Sequence, residues 1–345
     1  MRNVTPGDLT PASGIPRPLK LDPERSTVLA ARRGLDHRGS DVTVQRISPL
    51  STLESSADPA LTYLSAERFA SRLSGRAGLA VITTAALARH VPEGNALLIT
   101  SGHPRDDFYE MLSDAVRTGR FERLASSISP SARIARTACI EDGVVVDDEA
   151  DIGPGAVVLS NTYVGKGAVI KPNAVVGGDG FENATIGARK RIVPHAGGVW
   201  LAEASEVGSS TCVDKGLFGE FTFVGEETKI DNLVHFAHAA HVGRRSSIIA
   251  CAEISGSCVL GDGVWVGPNA SVNQLVRIGD YSYIGTAAVV TRDVPPHSLA
   301  YGSPAKVMAH VCECRTKLHF VDARAACEQC GRQYTLTPGG VAHRG

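Results

Sequence analysis

An apolar residue recurs at every sixth position over much of the chain between residues 134 and 290. A period of six fits neither an amphipathic helix, which repeats every 3.6 residues, nor an alternating strand, which repeats every two. It fits a short strand followed by a tight turn, so that three units form one triangular coil, and successive coils stack about 4.8 Å apart. The pattern therefore predicts a mainly β protein with a parallel β-helix over residues 126–308. The predicted inward positions are Ile134, Ile140, Val146, Ile152, Val158, Val164, Ile170 and Val176, then Val224, Ile230, Phe236, Val242, Ile248, Ile254, Leu260, Val266, Val272, Ile278, Ile284 and Val290.

Two stretches leave this phase, residues 181–206 and residues 216–223. A loop that leaves a regular scaffold commonly carries functional side chains, because the scaffold holds it in place. We therefore expect both stretches to lie outside the column and to line a site.

The segment before the repeat has a different pattern. Residues 26–125 contain apolar runs at 79–83 and 96–100, which predict strands, and a further strand is indicated around 42–47. Between residues 104 and 118, apolar side chains recur with helical spacing, which predicts an amphipathic helix and hence a small α/β domain. Five prolines in the first 25 residues indicate a flexible leader over 1–25. The helix positions are Phe108, Met111, Leu112 and Ala115.

Four cysteines beyond the repeat form two closely spaced pairs. Such pairs, separated by a short linker, are typical of structural zinc held by four thiolates. We expect a zinc-ribbon-like segment over residues 309–337, followed by a tail over 338–345. The alternative is four unpaired surface thiols. The four cysteines are Cys312, Cys314, Cys327 and Cys330.

Composition and charge exclude several classes of function. The net charge of -1 offers no basic surface of the kind that nucleic-acid binding requires. No apolar run approaches the roughly 20 residues that span a bilayer, and residues 1–6 lack the apolar stretch of a signal peptide. We therefore expect a cytoplasmic protein without a membrane span, in which the eight cysteines stay reduced or bind metal.

The most polar part of the repeat, residues 229–243, contains the candidate chemistry. His238 follows the inward Phe236 by two residues, which puts it at a corner of the coil. Imidazole accepts protons near neutral pH, so His238 is a candidate general base for an amine that attacks a thioester. Gly256 lies 18 residues further on, one coil above, where its amide is placed to stabilise the oxyanion of the tetrahedral intermediate.

Three histidines in this segment leave a second interpretation open. Some hexapeptide-repeat proteins, the gamma-class carbonic anhydrases, bind a catalytic metal through histidines at a subunit interface, so the chain could be a metal-dependent hydratase. Residues three apart lie on different parts of a coil edge, so the histidines of one chain are not expected to converge on one ion. His235 and His241 are instead expected at the surface or at an interface. A non-catalytic scaffold is the third interpretation.

Several motifs occur in the order and spacing of one known family. They resemble those of the UDP-3-O-acylglucosamine N-acyltransferases of lipid A biosynthesis, and the resemblance extends over residues 35–307. It implies a left-handed β-helix, a homotrimer and active sites between subunits. The motifs are Leu-Thr-Tyr-Leu-Ser-Ala-Glu-Arg-Phe at 61–69, Leu-Ala-Val-Ile-Thr at 79–83, Val-Gly-Gly-Asp-Gly-Phe at 176–181, Thr-Cys-Val-Asp-Lys-Gly at 211–216, Lys-Ile-Asp-Asn-Leu-Val at 229–234 and Phe-Ala-His at 236–238.

The resemblance also implies roles for individual residues. His238 matches the family's general base and Gly256 its oxyanion donor. Tyr63 and Phe69 match two aromatic residues that stack on the nucleotide base, which implies that residues 26–125 bind the nucleotide. Further substrate-binding residues are implied within the motifs and, near the pantetheine phosphates, at a lysine after the last coil. They are Asp179, Phe181, Asp214, Asp231, Asn232 and Lys306.

Three features depart from the family pattern. Ala66 stands where the family has an asparagine between the two aromatic residues, no histidine occurs between His241 and His297 where the family has a second one, and the cysteine pairs replace C-terminal helices. We therefore predict the reaction class, which is acyl transfer from acyl-CoA or acyl carrier protein to the amine of a nucleotide-activated amino sugar. The alternative within this class is the lipid A enzyme itself, with a hydroxyacyl carrier protein as donor.

Overall fold

A left-handed parallel β-helix forms the centre of the protein. Each coil contributes one short strand to each of three faces, and each strand pairs with the strand one coil further on, as Phe236 pairs with Ile254. The computed structural model describes residues 3–4, 16–22, 35–38, 42–51, 59–338 and 340–344.

The three faces are parallel sheets that run the length of the column. The first face consists of Ser127–Ile128, Val145–Val146, Thr162–Val164, Gly198–Leu201, Phe221–Val224, His241–Val242, Val259–Leu260 and Arg277–Ile278. The second face consists of Arg133–Ile134, Asp151–Ile152, Val169–Ile170, Glu206–Val207, Lys229–Ile230, Ser247–Ile248, Trp265–Val266, Tyr283–Ile284 and Ser298–Gly302. The third face consists of Cys139–Ile140, Val157–Val158, Val175–Gly178, Cys212–Asp214, His235–Phe236, Glu253–Ile254, Ser271–Val272 and Val289–Val290.

The inward side chains of the repeat form one continuous core. Val176, Phe236 and Ile254 are fully buried in it, as the period of six predicts. Ile134 is an exception and is exposed, because its strand lies at the first end of the second face and no earlier coil covers it. Each coil buries its apolar side chains by stacking on its neighbours, so stability is shared along the column.

A hairpin leaves the column between two of its coils. Its strands, Asn183–Ile186 and Arg189–Ile192, pair with each other in antiparallel register. Both predicted loops are shorter than expected, because Gly198–Leu201 and Phe221–Val224 are strands of the first face. The count of six fails there because the inserted residues shift the phase, although Val199, Leu201 and Val224 of these strands still belong to the core of the column.

In the described part of the chain, a five-stranded sheet and one long helix precede the column. The helix, Pro104–Arg117, begins at a proline, whose missing N–H removes no hydrogen bond in the first turn. Two 3₁₀ helices, Glu67–Leu73 and Ala88–His90, follow sheet strands. Within the described residues, no helix is both long enough and apolar enough to cross a membrane. The strand predicted around 42–47 is shorter than expected, and the sheet order is Asp36–Arg38, Ala96–Thr100, Ala80–Thr84, Ala60–Tyr63 and Arg46–Ile47.

Residues 16–22 pack against the rest of the protein. Leu19 and Leu21 are each 1% exposed, and the Leu19 amide donates a hydrogen bond to the Gly219 carbonyl at 2.7 Å. The prediction of a flexible leader is therefore wrong for residues 16–22, because two leucines in this proline-rich stretch reach an apolar surface that only the folded chain creates. The rest of the predicted leader lies outside the described residues, apart from a short strand, Asn3–Val4.

The last coil is followed by a compact segment. The hairpin strand Ala305–Val311 and the short strand Lys317–Leu318 extend the second face in antiparallel register. A separate three-stranded sheet contains Arg324–Ala326, Gln333–Thr337 and Gly340–Arg344. The prediction of a tail is wrong for residues 340–344, because they pair along their whole length with the preceding strand.

Candidate active site

The corner of the coil that carries His238 lies between the third and first faces. Phe236, two residues earlier, fills the inward position as predicted. Ala239 has a left-handed backbone conformation with φ of 54°, and its amide donates a hydrogen bond to the Thr222 hydroxyl at 2.8 Å. These features fix the turn and hold the His238 side chain outside the column.

Gly256 lies directly against the His238 imidazole, one coil further on. The amide of Ser257 donates a hydrogen bond to the His238 carbonyl at 2.9 Å, which aligns the two corners. A methyl group at Gly256 would lie 2.5 Å from Nε2 of His238, so a side chain at this position would displace the ring. No hydrogen bond from the Gly256 amide is seen among the described residues, which leaves this donor available to a ligand.

His195 is a component of this site that the sequence reasoning missed. It is 2% exposed, and its ring meets that of His238 edge to face with the centroids 5.4 Å apart. Nδ1–H donates to the Val193 carbonyl at 3.0 Å, which leaves Nε2 as an acceptor. A methyl group at Gly180 would lie 2.9 Å from Nε2 of His195 and 3.0 Å from Cδ2 of His238. Gly180, in the motif at 176–181, therefore leaves room for both rings because it has no side chain.

Glu182 is a second residue that the sequence reasoning missed. Its carboxylate accepts a hydrogen bond from the Tyr109 hydroxyl at 2.9 Å, and its charge acts on His238. The sequence did contain a signal for Glu182 and His195, because both lie in residues 181–206, the stretch that was expected to line a site. His195 is the only histidine of that stretch. Their distance from the base depends on how the hairpin folds back, which spacing does not encode.

Burial favours the neutral form of both imidazoles. Desolvation lowers the pKa of His238, and the Glu182 carboxylate opposes this shift. Desolvation also lowers the pKa of His195 to about 4, and the Asp179 carboxylate opposes it. Nδ1 of His238 and Nε2 of His195 are buried without a hydrogen-bond partner in the described part of the chain. Unpaired ring nitrogens in two neighbouring rings are suited to take up a proton or to hold a polar group of a ligand.

Charged side chains surround the two histidines. Oδ1 of Asp179 lies 2.9 Å from Nζ of Lys215. Asp214 is buried, and its Oδ2 lies 3.6 Å from Nε2 of His235. Burial raises the pKa of Asp214 to about 6, while His235 acts to lower it. Phe181 is 78% exposed, so an aromatic ring faces solvent one residue after Gly180.

The other predicted polar residues lie elsewhere. Asp231 and Asn232 are at the corner between the second and third faces, where their side chains accept hydrogen bonds from backbone amides at 3.1 and 2.7 Å respectively. Within the described part of one chain, they are not brought together with His238. Lys306 is exposed on the hairpin beyond the last coil.

Tyr63 and Phe69 line the same cavity of about 100 Å³ in the N-terminal domain. Tyr63 ends a sheet strand, and its ring packs against Phe108 of the long helix with the centroids 4.9 Å apart. Phe69 lies in the first 3₁₀ helix, directly after the strand. The cavity is also lined by Pro49, Leu50, Ser51, Ser65 and Arg72.

The four cysteines of the C-terminal segment face one point. Sγ of Cys312 lies 3.4 Å from Sγ of Cys330, and Sγ of Cys314 lies 3.4 Å from Sγ of Cys327. All four sulfur atoms lie within 4.8 Å of one another. Zinc–sulfur bonds of about 2.3 Å in a tetrahedron separate the sulfur atoms by about 3.8 Å. The group therefore fits a single zinc ion.

The three histidines of the polar segment do not form a comparable group. The cysteine cluster is the one set of three or more candidate metal ligands that the described residues bring together, and it contains no histidine. His235 faces Asp214, whereas Nε2 of His241 donates to the Phe221 carbonyl at 3.0 Å. Within the described part of one chain, the three histidines therefore do not converge on one ion.

Comparison with known proteins gives related enzymes. The chain is 32% identical over 272 residues to the UDP-3-O-acylglucosamine N-acyltransferase of Delftia acidovorans, which covers 74% of this chain and 78% of that protein. It is 44% identical over 114 residues to a protein of the same name from a Caulobacter species, 33% of each chain. It is 40% identical over 90 residues to the dTDP-3-amino-3,6-dideoxy-alpha-D-galactopyranose 3-N-acetyltransferase of Aneurinibacillus thermoaerophilus, 26% of this chain and 46% of that protein. The matches with the first six relatives span only 33 to 42% of their length. No family model matches the chain.

Proposed function

The chain belongs to the UDP-3-O-acylglucosamine N-acyltransferase family, and from that premise we propose that it transfers an acyl group from a thioester to the amine of a nucleotide-activated amino sugar. The observation that carries the proposal is the contact between His238 and Gly256, because the reaction needs a base and an oxyanion donor around one carbonyl. The names of the Delftia and Aneurinibacillus relatives both describe acyl transfer to nitrogen of a nucleotide-linked sugar.

His238 acts as the general base in this proposal. The amine nitrogen attacks the thioester carbon, and His238 takes up the proton that the nitrogen loses. The carbonyl oxygen becomes an oxyanion that accepts a hydrogen bond from the Gly256 amide. The carbon–sulfur bond then breaks, and His238 returns the proton to the thiolate, so the products are an amide and a free thiol. His195 stays neutral and positions the amine through the acceptor Nε2.

The nucleotide binds in the N-terminal domain in this proposal. Stacking of a base on aromatic rings contributes about 1–3 kcal/mol per base and tolerates any base, so the cavity of Tyr63 and Phe69 suits this role. Because Ala66 replaces the asparagine of the family pattern, the identity of the base is left to experiment. Asp179 and Phe181 then lie beside the sugar, next to the general base His238.

A homotrimer with active sites between subunits is part of the proposal. Asp231 and Asn232 lie one corner away from His238, so a neighbouring subunit would have to supply them to the site. The exposed Lys306, on the hairpin beyond the last coil, would meet the phosphates of acyl-CoA or of acyl carrier protein. Both donors belong to the cell interior, so we place the enzyme in the cytoplasm.

The cysteine cluster would hold a structural zinc ion. Four thiolates leave no open coordination position, so the metal would fold the C-terminal segment and take no part in acyl transfer. The Tyr334 hydroxyl lies 3.1 Å from Sγ of Cys312 and Nη1 of Arg332 donates to Sγ of Cys330 at 3.3 Å. Hydrogen bonds of this kind orient metal ligands.

An end-point mass-spectrometric assay tests the proposed activity. The purified full chain is incubated with UDP-, dTDP- and GDP-linked amino sugars, each with short and long acyl-CoA and with hydroxyacyl carrier protein. We expect one pair to give a product heavier by one acyl group. Product from hydroxyacyl carrier protein and a UDP-linked acylglucosamine would identify the lipid A enzyme. Folded, oligomeric protein that gives no product from any pair would support the scaffold interpretation instead.

Substitution of Gly256 by alanine should reduce kcat at least about a hundredfold, the scale on which loss of one oxyanion donor acts. The new methyl group would lie 2.5 Å from Nε2 of His238, so it displaces the base and covers the amide. Steady-state kinetics with the pair found by mass spectrometry measure the effect. Gly102→Ala is the control, because its methyl group meets neighbours at 3.5 Å or more. Equal loss in both variants would contradict the role of Gly256.

A further inference from the structure

We propose that Arg105, in the first turn of the helix Pro104–Arg117, binds the diphosphate of the nucleotide-sugar substrate. This inference rests on the proposed function, because it takes the ligand to be a nucleotide sugar. Its basis is the position of the Arg105 guanidinium between the aromatic cavity and the catalytic histidine.

Arg105 contacts Tyr63 at the aromatic cavity. Tyr63 lines that cavity with its ring. Burial raises the pKa of the Tyr63 hydroxyl, and the positive charge and hydrogen bonding of Arg105 act against this shift. The guanidinium also lies over the Tyr109 ring, 5.0 Å from its centroid. Arg105 therefore lies next to Tyr63, one of the residues that line the aromatic cavity.

Arg105 also contacts Glu182, which lies on the side of the general base His238. Nη2 of Arg105 lies 3.8 Å from Oε1 of Glu182, and the same carboxylate acts electrostatically on His238. Tyr63, Arg105 and Glu182 therefore follow one another towards His238, whose ring lies against Gly180, two residues before Glu182. A nucleotide sugar presents its groups in the matching order, which is base, diphosphate, sugar and amine.

Arg105 is available for a ligand in this position. Its side chain is 40% exposed, and its 3.8 Å contact with Glu182 is longer than the 2.7–2.9 Å of a charge-assisted hydrogen bond. Tyr109 holds Glu182 by a separate hydrogen bond of 2.9 Å, so Arg105 can turn to a phosphate without releasing the carboxylate. A guanidinium matches phosphate oxygens with two parallel hydrogen bonds, and the helix dipole favours an anion at this end.

The other arginines near the cavity have a different position. The guanidinium groups of Arg68 and Arg72 lie 4.8 Å and 5.9 Å from the centroid of the Phe69 ring. Both arginines therefore lie beside Phe69, for which no contact with Glu182 or His238 is seen among the described residues. Of these arginines, Arg105 is the one in contact with Glu182 in the described part of the chain.

Calorimetric titration of the full chain tests the inference without any acyl transfer. The ligands are uridine and UDP, and thymidine and dTDP, so that each base is compared with and without its diphosphate. The proteins are wild type, Arg105→Ala and Arg105→Lys. Arg117→Ala is the matched control, because Arg117 ends the same helix, is exposed and donates to the Ser113 carbonyl.

We expect the wild-type protein to bind at least one diphosphate about ten to a hundred times more tightly than its nucleoside, the range for charge-assisted hydrogen bonds. Arg105→Ala should lose most of this ratio and keep the nucleoside affinity, which also shows that the cavity is folded. Arg105→Lys should regain part of the ratio, and Arg117→Ala should keep all of it. An unchanged ratio in Arg105→Ala would overturn this inference alone. Wild-type protein that binds none of these four ligands, and neither guanosine nor GDP titrated in the same way, would overturn the proposed nucleotide substrate and the inference with it.

Discussion

Replacement of His238 by alanine is expected to lower kcat by about a hundredfold to ten-thousandfold, the range that general acid–base catalysis contributes. Without the His238 imidazole, the ring left beside the attacking amine is that of His195, whose pKa burial lowers to about 4, so it is a much weaker base. The His238 ring lies against Gly180, His195 and Gly256. Steady-state kinetics with the substrate pair found by mass spectrometry measure the loss.

The pH dependence of the wild-type enzyme gives an independent test of the same base. Desolvation lowers the pKa of His238 from 6.5, so the neutral form that accepts a proton persists below pH 6.5. We expect kcat/KM to stay constant as the pH falls to about 6.5 and to decline only when it passes through the lowered pKa. The variant should lack this acid limb, because alanine has no group to protonate.

The control for this prediction is His319→Ala, in which an exposed histidine outside the site is removed. It should leave kcat and the pH profile unchanged. Partial recovery of the His238→Ala variant by added imidazole would support the assignment further, because the lost side chain leaves a space of that shape. A folded His238→Ala protein with kcat within a factor of two of wild type would show that another group takes up the proton.

Replacement of Cys327 by serine is expected to remove zinc and to unfold the C-terminal segment. Structural zinc contributes about 10–16 kcal/mol in zinc-finger peptides, more than the total stability of many domains. The segment has a small core of its own, in which Tyr334 is the largest fully buried side chain. We expect one zinc ion per chain in the wild type and loss of it in the variant, measured by plasma mass spectrometry.

Hydrogen exchange of the same variant shows where the metal acts. The rings of His297, in the last coil, and Tyr334 meet with their centroids 5.0 Å apart, and the Arg315 guanidinium lies 4.3 Å from the centroid of the Trp265 ring. The segment thus covers the end of the column, which would otherwise present unpaired strand edges. We expect faster exchange in the C-terminal sheet and the last coil, and unchanged exchange in the coils around His238.

Cys139→Ser is the matched control for the zinc prediction, because Cys139 is an exposed free thiol on the column outside the cluster. It should retain one zinc ion and wild-type exchange. If Cys327→Ser also retained its zinc and its protection from exchange, the four cysteines would not bind the metal and the assignment would be wrong.

The six-residue repeat determines most of the β-helix, and it can be found directly in the sequence. A β-helix is quasi-one-dimensional, because each coil contacts mainly the coil before and the coil after it. Residues six positions apart therefore point their side chains in equivalent directions. For this reason the sequence alone predicted that Phe236 points into the column. The 18 residues between His238 and Gly256 likewise predicted their contact, which the structure contains. The spacing of the two cysteine pairs likewise predicted that their four sulfur atoms lie together, which the structure contains.

The remaining features depend on contacts between distant parts of the chain, and the tertiary structure alone decides them. His195 meets His238 only because a hairpin of no fixed period folds back over the coil. Arg105 and Glu182 lie 77 residues apart, and they meet because the N-terminal domain docks against that hairpin. Leu19 is buried for the same reason, since its partner surface forms when residues far along the chain come together. Repeat spacing fixes direction within one column, whereas docking of separate elements follows from the shape and polarity of complete surfaces.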